Sequence, residues 1–179
     1  MKKFWNWFLA AIILCGTAAV LTACGGDDDD NTQPKGATFQ KVRVIYSMVV
    51  SSPILSEFRV NSYFTDSNGS QMETVEKANW EKTVEFDASK MPKTFEMYYA
   101  LAPKNREPGA TATAQGEALI KYVMQVMIIN SDGTIATSRE VHDAYMHDAF
   151  SSNTVLADFA KDANSCKHLT ISVTKDGTF

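Results

Sequence analysis

From Phe39 onward the chain alternates apolar and polar residues with a period of two, and that pattern confines it to sheets. Val42, Val44, Tyr46, Met48 and Val50 fall on one side, with Lys41, Arg43 and Ser47 among the residues between them. Successive side chains of a strand point to opposite faces, so this reads as a half-buried strand. Ser51-Ser52-Pro53 stops it. Phe58, Val60 and Phe64 alternate with Glu57, Arg59 and Asn61 in a second strand. Asp66-Ser67-Asn68-Gly69 then predicts a hairpin, because Asn-Gly is the strongest short turn signal. A more polar third strand over 71–76 suits a sheet edge. Val84 and Phe86, with Trp80 just before them, mark a fourth, and Phe95, Met97, Tyr99 and Leu101 a fifth. Later, Ser131-Asp132-Gly133 turns the chain into a strand near 134–141. Leu169, Ile171 and Val173 alternate with threonines and serine at the end.

The stretch from Ala118 to Asn130 is apolar on both sides. Tyr122, Met124, Val126 and Ile128 share one face, and Val123, Met127 and Ile129 the other, interrupted by Gln125. A sheet wet on one side alternates more cleanly, so this strand is expected to be central and covered on both faces. The cover could come from a helix, a partner subunit or a barrel interior. Asn153 as an N-cap, followed by Val155, Leu156, Phe159 and Ala160 at helical spacing, predicts a short helix over 153–163. Residues 103–116 form a long Ala-, Thr-, Gly- and Pro-rich connection and are expected to be mobile. Together these elements predict a mainly all-β fold, an antiparallel β-sandwich of immunoglobulin- or transthyretin-like type with one short helix. A lipocalin-like closed β-barrel is the alternative, because it also explains a strand apolar on both faces.

The N-terminus carries a different message. Met1-Lys2-Lys3 precedes an uncharged apolar run from Phe4 to Ala23, then Cys24, Gly25-Gly26 and Asp27-Asp28-Asp29-Asp30. Two lysines, an apolar core and small residues before a cysteine are the order of a secretory signal. A run of about 20 apolar residues is also long enough for a permanent membrane span. Leu21-Thr22-Ala23-Cys24 resembles the lipobox of bacterial lipoproteins, which favours the signal. That resemblance implies recognition of Leu21, Thr22 and Ala23 by the signal peptidase, and lipidation of Cys24 as the first mature residue. The aspartates Asp27, Asp28, Asp29 and Asp30 resemble the export tract of lipoproteins carried to the outer face of Gram-negative outer membranes. The chain as a whole resembles small surface lipoproteins of that kind. The resemblance implies palmitate-type acylation, an outer-membrane location facing the cell exterior and a membrane contact through lipid. It implies no activity. The expected divisions are a signal peptide over 1–23, a lipidated and flexible acidic tether over 24–38 and a single β domain over 39–179. Several acyl chains hold where one anchors only reversibly, and a coil of this length spans roughly 20 Å.

Charge and cysteines narrow the function classes. The 179-residue chain has a net charge of −4, and losing the two lysines of the signal would leave it at −6. Four of the negative charges lie in the tether, so the body offers no basic stripe for nucleic acid. Of three cysteines, Cys15 leaves with the signal and Cys24 is lipidated, which leaves Cys166 without an internal disulfide partner. Cys166 and His168, two residues apart, would share a strand face as a thiol–imidazole pair. Glu140, His142, Asp143, His147 and Asp148 concentrate ligand types that a divalent metal takes. Histidines five apart point to opposite faces of a strand, however, and about 140° apart on a helix, so only a loop would join them. Thr137 with Glu140 also matches a helix-starting capping box. Trp80, Tyr98 and Tyr145 would stack on sugars if exposed, though aromatics in β domains are more often core. No cofactor is expected. The first function expected is a non-catalytic binding or accessory module for a protein or glycan. A carrier of a small apolar ligand in a barrel cavity is the second, and a metal-dependent hydrolase using residues 140–148 the third. Oligomeric state is left open.

Overall fold

In the computed structural model, which describes residues 38–179, the strands form two four-stranded antiparallel sheets packed face to face. In chain order they are β1 (Phe39–Val50), helix α1 (Ser52–Glu57), β2 (Phe58–Asp66), β3 (Gly69–Val75), β4 (Asn79–Asp87), β5 (Lys93–Pro103), β6 (Gly116–Asn130), β7 (Ile135–Phe150), helix α2 (Leu156–Ala163) and β8 (Leu169–Val173). A 3-10 turn at Ala88–Lys90 joins β4 to β5. One sheet runs β4-β1-β6-β7 and the other β3-β2-β5-β8. This is the expected β-sandwich. The first strand pairs with the fourth and sixth and lies in the opposite sheet from the second. In the immunoglobulin constant-type order the first two strands are neighbours.

The two sheets do not close on one another, so the barrel expectation is overturned. The reason is visible in the core. Tyr46, Tyr99, Tyr122, Phe58, Phe95 and Met97 are all fully buried between the sheets and fill the space that a ligand cavity would need. Tyr46 Oη donates to Thr65 O (2.6 Å) and Tyr99 Oη to Ala163 O (3.0 Å), so the buried phenols tie one layer to the next. Unpaired, each would cost on the order of 1–3 kcal/mol.

Strand β6 is central, between β1 and β7, but only one of its faces is in the core. Ala118, Ile120, Tyr122, Met124, Val126 and Ile128 are buried there. On the outer face Leu119 and Val123 are half-buried, and Ser51, at the N-cap of α1, is hydrogen-bonded to Leu119. Met127 and Ile129 are buried on that face beside Arg43 and Lys41, their neighbours in register on β1. Long basic side chains shield apolar neighbours with their stems, and these two end on Glu85 of β4.

Helix α2 begins at Leu156, three residues later than expected. Val155 occupies the N-cap position without a side-chain cap, and Asn153 lies in the preceding turn. Leu156, Phe159, Ala160 and Ala163 are its buried face. Phe159 stacks on Phe58 (5.3 Å between centroids) and meets Phe150 edge-on (4.9 Å), closing the end of the sandwich beyond the short strand β8.

Candidate functional site

The weak metal candidates lie on a strand, not in a loop or at a helix start. Strand β7 runs through to Phe150, and its regular pairing with β6 sends alternate residues to opposite faces. Glu140 and His142 point outward and are exposed, 3.9 Å apart between Oε1 and Nδ1. Asp143 and His147 point inward: Asp143 accepts from Tyr122 Oη (3.1 Å), and the His147 ring packs edge-on against Phe159. The four weak metal candidates are therefore divided by the sheet. Among the described residues no group of three or more His, Cys, Asp or Glu side chains is placed to hold an ion. Beside His147, an open depression of about 350 Å³ is lined by Tyr145, Asp158, Phe159 and Asp162 among others. Tyr145 Oη donates to Asp162 Oδ2 across it (2.8 Å).

Cys166 and His168 are also separated. Cys166 is half-buried, with Sγ 3.8 Å from Tyr99 O, whereas His168 is exposed on the far side of the sheet. Burial, reinforced by Cys166, pushes the phenols of Tyr99 and Tyr122 well above the ordinary tyrosine range. Both stay neutral donors. Tyr122 shares its single hydrogen between Asp143 Oδ2 and Lys167 O (2.5 Å).

The strongest surface feature crosses the outer face of the second sheet. Tyr63 of β2 stands opposite Met72 of β3 on one side and Tyr98 of β5 on the other. His168, just before β8, extends the row. Tyr63 and Tyr98 stack at 4.7 Å with ring planes 3° apart, and Tyr98 and His168 at 4.1 Å with planes parallel. Parallel rings this close lie face to face, so they stand up from the sheet and show their edges to solvent. Met72 at one end is 52 % exposed. Around the row the face is polar or small: Thr74, Asn61 and Ala100 on one side, Ser70, Thr65, Glu96 and Thr170 on the other. Of the aromatics expected to be able to stack on a ligand, only Tyr98 belongs here. Trp80 packs against Phe64 and donates to Glu73, and Tyr145 is turned toward Phe159.

The 103–116 connection is not a free loop. Glu57, buried at the end of α1, accepts three hydrogen bonds at one oxygen, from Thr113 N, Thr113 Oγ1 and Ala114 N, each 2.6 Å. Burial raises its pKa, but these donors outweigh it and hold the carboxyl below the usual glutamate value. Lys104 N donates to Glu57 O, and residues 110–112 bond to Thr154 and Leu156. Sequence reasoning missed Glu57, because an acid beside Phe58 looks like the solvent side of a strand.

The lipobox residues Leu21, Thr22, Ala23 and Cys24 and the aspartates 27–30 lie outside the described residues. No helix among the described residues is long and apolar enough to cross a membrane. Neither a protein-family model nor a curated protein matches this chain.

Proposed function

We propose that this protein is a lipid-anchored binding module of the outer-membrane surface, held by acyl chains on Cys24 and non-catalytic, with a folded protein as its partner. The observation that carries the reading is the Met72–Tyr63–Tyr98–His168 row on the outer face of β3-β2-β5-β8. Sugar recognition by aromatic platforms uses ring faces, and here both faces of Tyr98 and one each of Tyr63 and His168 are taken up by stacking. What is left outward is a line of ring edges and an exposed methionine on a flat polar field. Tyrosine edges and methionine are enriched where proteins meet, because they combine apolar contact with a hydrogen-bonding tip. The N-terminal resemblance supports the anchor and the acidic tract supports outward display.

The test places a photo-crosslinking amino acid at Tyr98 in cells that make the protein naturally. The control position is Glu81, exposed on the other sheet. Adducts of one defined mass from position 98, lost on Tyr63→Ala and not formed from position 81, are expected. Equal adducts from both positions, or none from position 98, would overturn the docking face.

A further inference from the structure

The two lateral edges of the sandwich are finished differently. On the β3/β4 side, Lys82 of β4 reaches Glu73 of β3 (2.5 Å), and Trp80 Nε1 donates to the same carboxylate (3.3 Å). That edge is tied across. On the other side β7 pairs only with β6 among the described residues. It is the longest strand, 16 residues without proline or lysine, and neighbours a β8 of five residues. Free strand edges template pairing with another chain, and such edges are usually blunted by shortness, lysine, proline or a bulge. The bulges of β7 lie at its two ends, and Thr137–His147 keeps an unbroken register between them.

We infer that β7 is a homodimer interface, in which two copies pair antiparallel about a two-fold axis through Val141. A two-fold axis that continues the sheet must keep inner residues opposite inner ones, so each residue of β7 serves as a possible centre. Centres at Arg139, Glu140 and Asp143 put identical charges directly opposite each other, which destabilises an antiparallel pair. A centre at His142 sets histidine against histidine and makes no opposite-charge pair, and one at Ala144 makes none either. One at Tyr145 sets Asp143 opposite His147 and His142 opposite Asp148 but leaves Arg139 beyond the end of the paired strand. Centring on Val141 sets Arg139 opposite Asp143 on the inner face and Glu140 opposite His142 on the outer face, twice each by symmetry. Thr137 then meets Tyr145, and the pairing 137–145 stays inside the bulge-free stretch. Arg139, Glu140 and His142 are exposed, as such an interface requires of a free subunit.

The inference does not depend on the anchor, and Gly36–Phe179 forms one compact unit that contains the whole core. The experiment uses that segment with Cys166→Ser, so that any introduced cysteine is the sole thiol. Opposite Cα atoms in an antiparallel pair are about 4.5–5.5 Å apart, within disulfide reach. Val141→Cys should therefore yield a covalent dimer under mild oxidation. Ala144→Cys, on the same strand but opposite Ser138, should stay monomeric. Sedimentation should show self-association weakened roughly tenfold by Arg139→Asp and regained when Asp143→Arg is added. Failure of Val141→Cys to crosslink at about 100 μM, well above a micromolar Kd, would overturn the interface. Equal crosslinking from Ala144→Cys, or a dimer indifferent to Arg139→Asp, would overturn the register.

Discussion

Single residues carry two departures from the simple rule of apolar inside and polar outside. Glu57 is buried yet satisfied, with three donors on one oxygen. Hydrogen bonds to a charged group contribute about 1.5–3 kcal/mol, so Glu57→Gln should lower unfolding free energy by roughly that amount at neutral pH. The folded pKa lies below the usual 4.5, so this stabilisation is complete above the unfolded value and is lost as pH falls through the folded one. Denaturant titrations of the two proteins should therefore converge in acid. A difference that persists at pH 2 would remove the charge from the explanation. The same substitution should expose 103–116 to proteolysis. Ser62 is the opposite case, fully buried with its hydroxyl unpartnered between Val60 and Phe64. An unsatisfied hydroxyl costs about 1–3 kcal/mol to bury, so Ser62→Ala should raise thermal stability, and a fall in Tm would show that the hydroxyl has a partner. Neither residue was legible in the chain. Whether a polar residue of a strand meets a donor depends on which distant segment passes over it.

At the scale of elements, legibility followed alternation. Strands β1, β2, β5 and β8, each with one clean buried face, stand where the period-two pattern put them. The hairpin expected at 66–69 formed, but its two loop residues are Ser67 and Asn68: Gly69 already pairs with Asp66 and alone carries the positive φ, +111°. Strand β7 was legible only in part: its first half was read near 134–141 from the turn before it, whereas 142–150, rich in histidines and acids, offers too few apolar residues to show that the strand continues to Phe150. Backbone pairing with β6 holds it, and side-chain pattern does not report that. The Tyr63–Tyr98–His168 row was hidden for a related reason: its members are far apart in sequence and meet only through cross-strand register. Helix α2 was readable from its apolar stripe, and its role now has a test. Phe159 touches Phe58, Phe150, Tyr145 and His147, and deleting a buried aromatic costs about 3–5 kcal/mol. Phe159→Ala should cost that much in a denaturant titration and bring a dye-binding site to the β7–α2 end. A loss under 1 kcal/mol would mean that the helix is a passive cover.

At the scale of the molecule, one short connection joins two kinds of information. Core side chains begin with the first strand at Phe39, and every buried apolar residue of the described sandwich lies after it. The motifs that resemble lipoprotein signals all precede residue 31. On the proposed reading these parts are separable, so changes before residue 31 should alter where the protein is and leave its unfolding unchanged. Cys24→Ala should abolish acyl labelling. Replacing Asp27–Asp30 by serine and asparagine makes the finer distinction. A tract that only solvates the tether is replaced without loss by other polar residues, since any such composition stays extended in water. A tract read as an export address is not. The substituted protein should keep its acyl label and its Tm, yet become resistant to protease added to intact cells while remaining sensitive after lysis. If it is shaved from intact cells as readily as the parent, the aspartates are a spacer, and outward display must be sought in some other part of the chain.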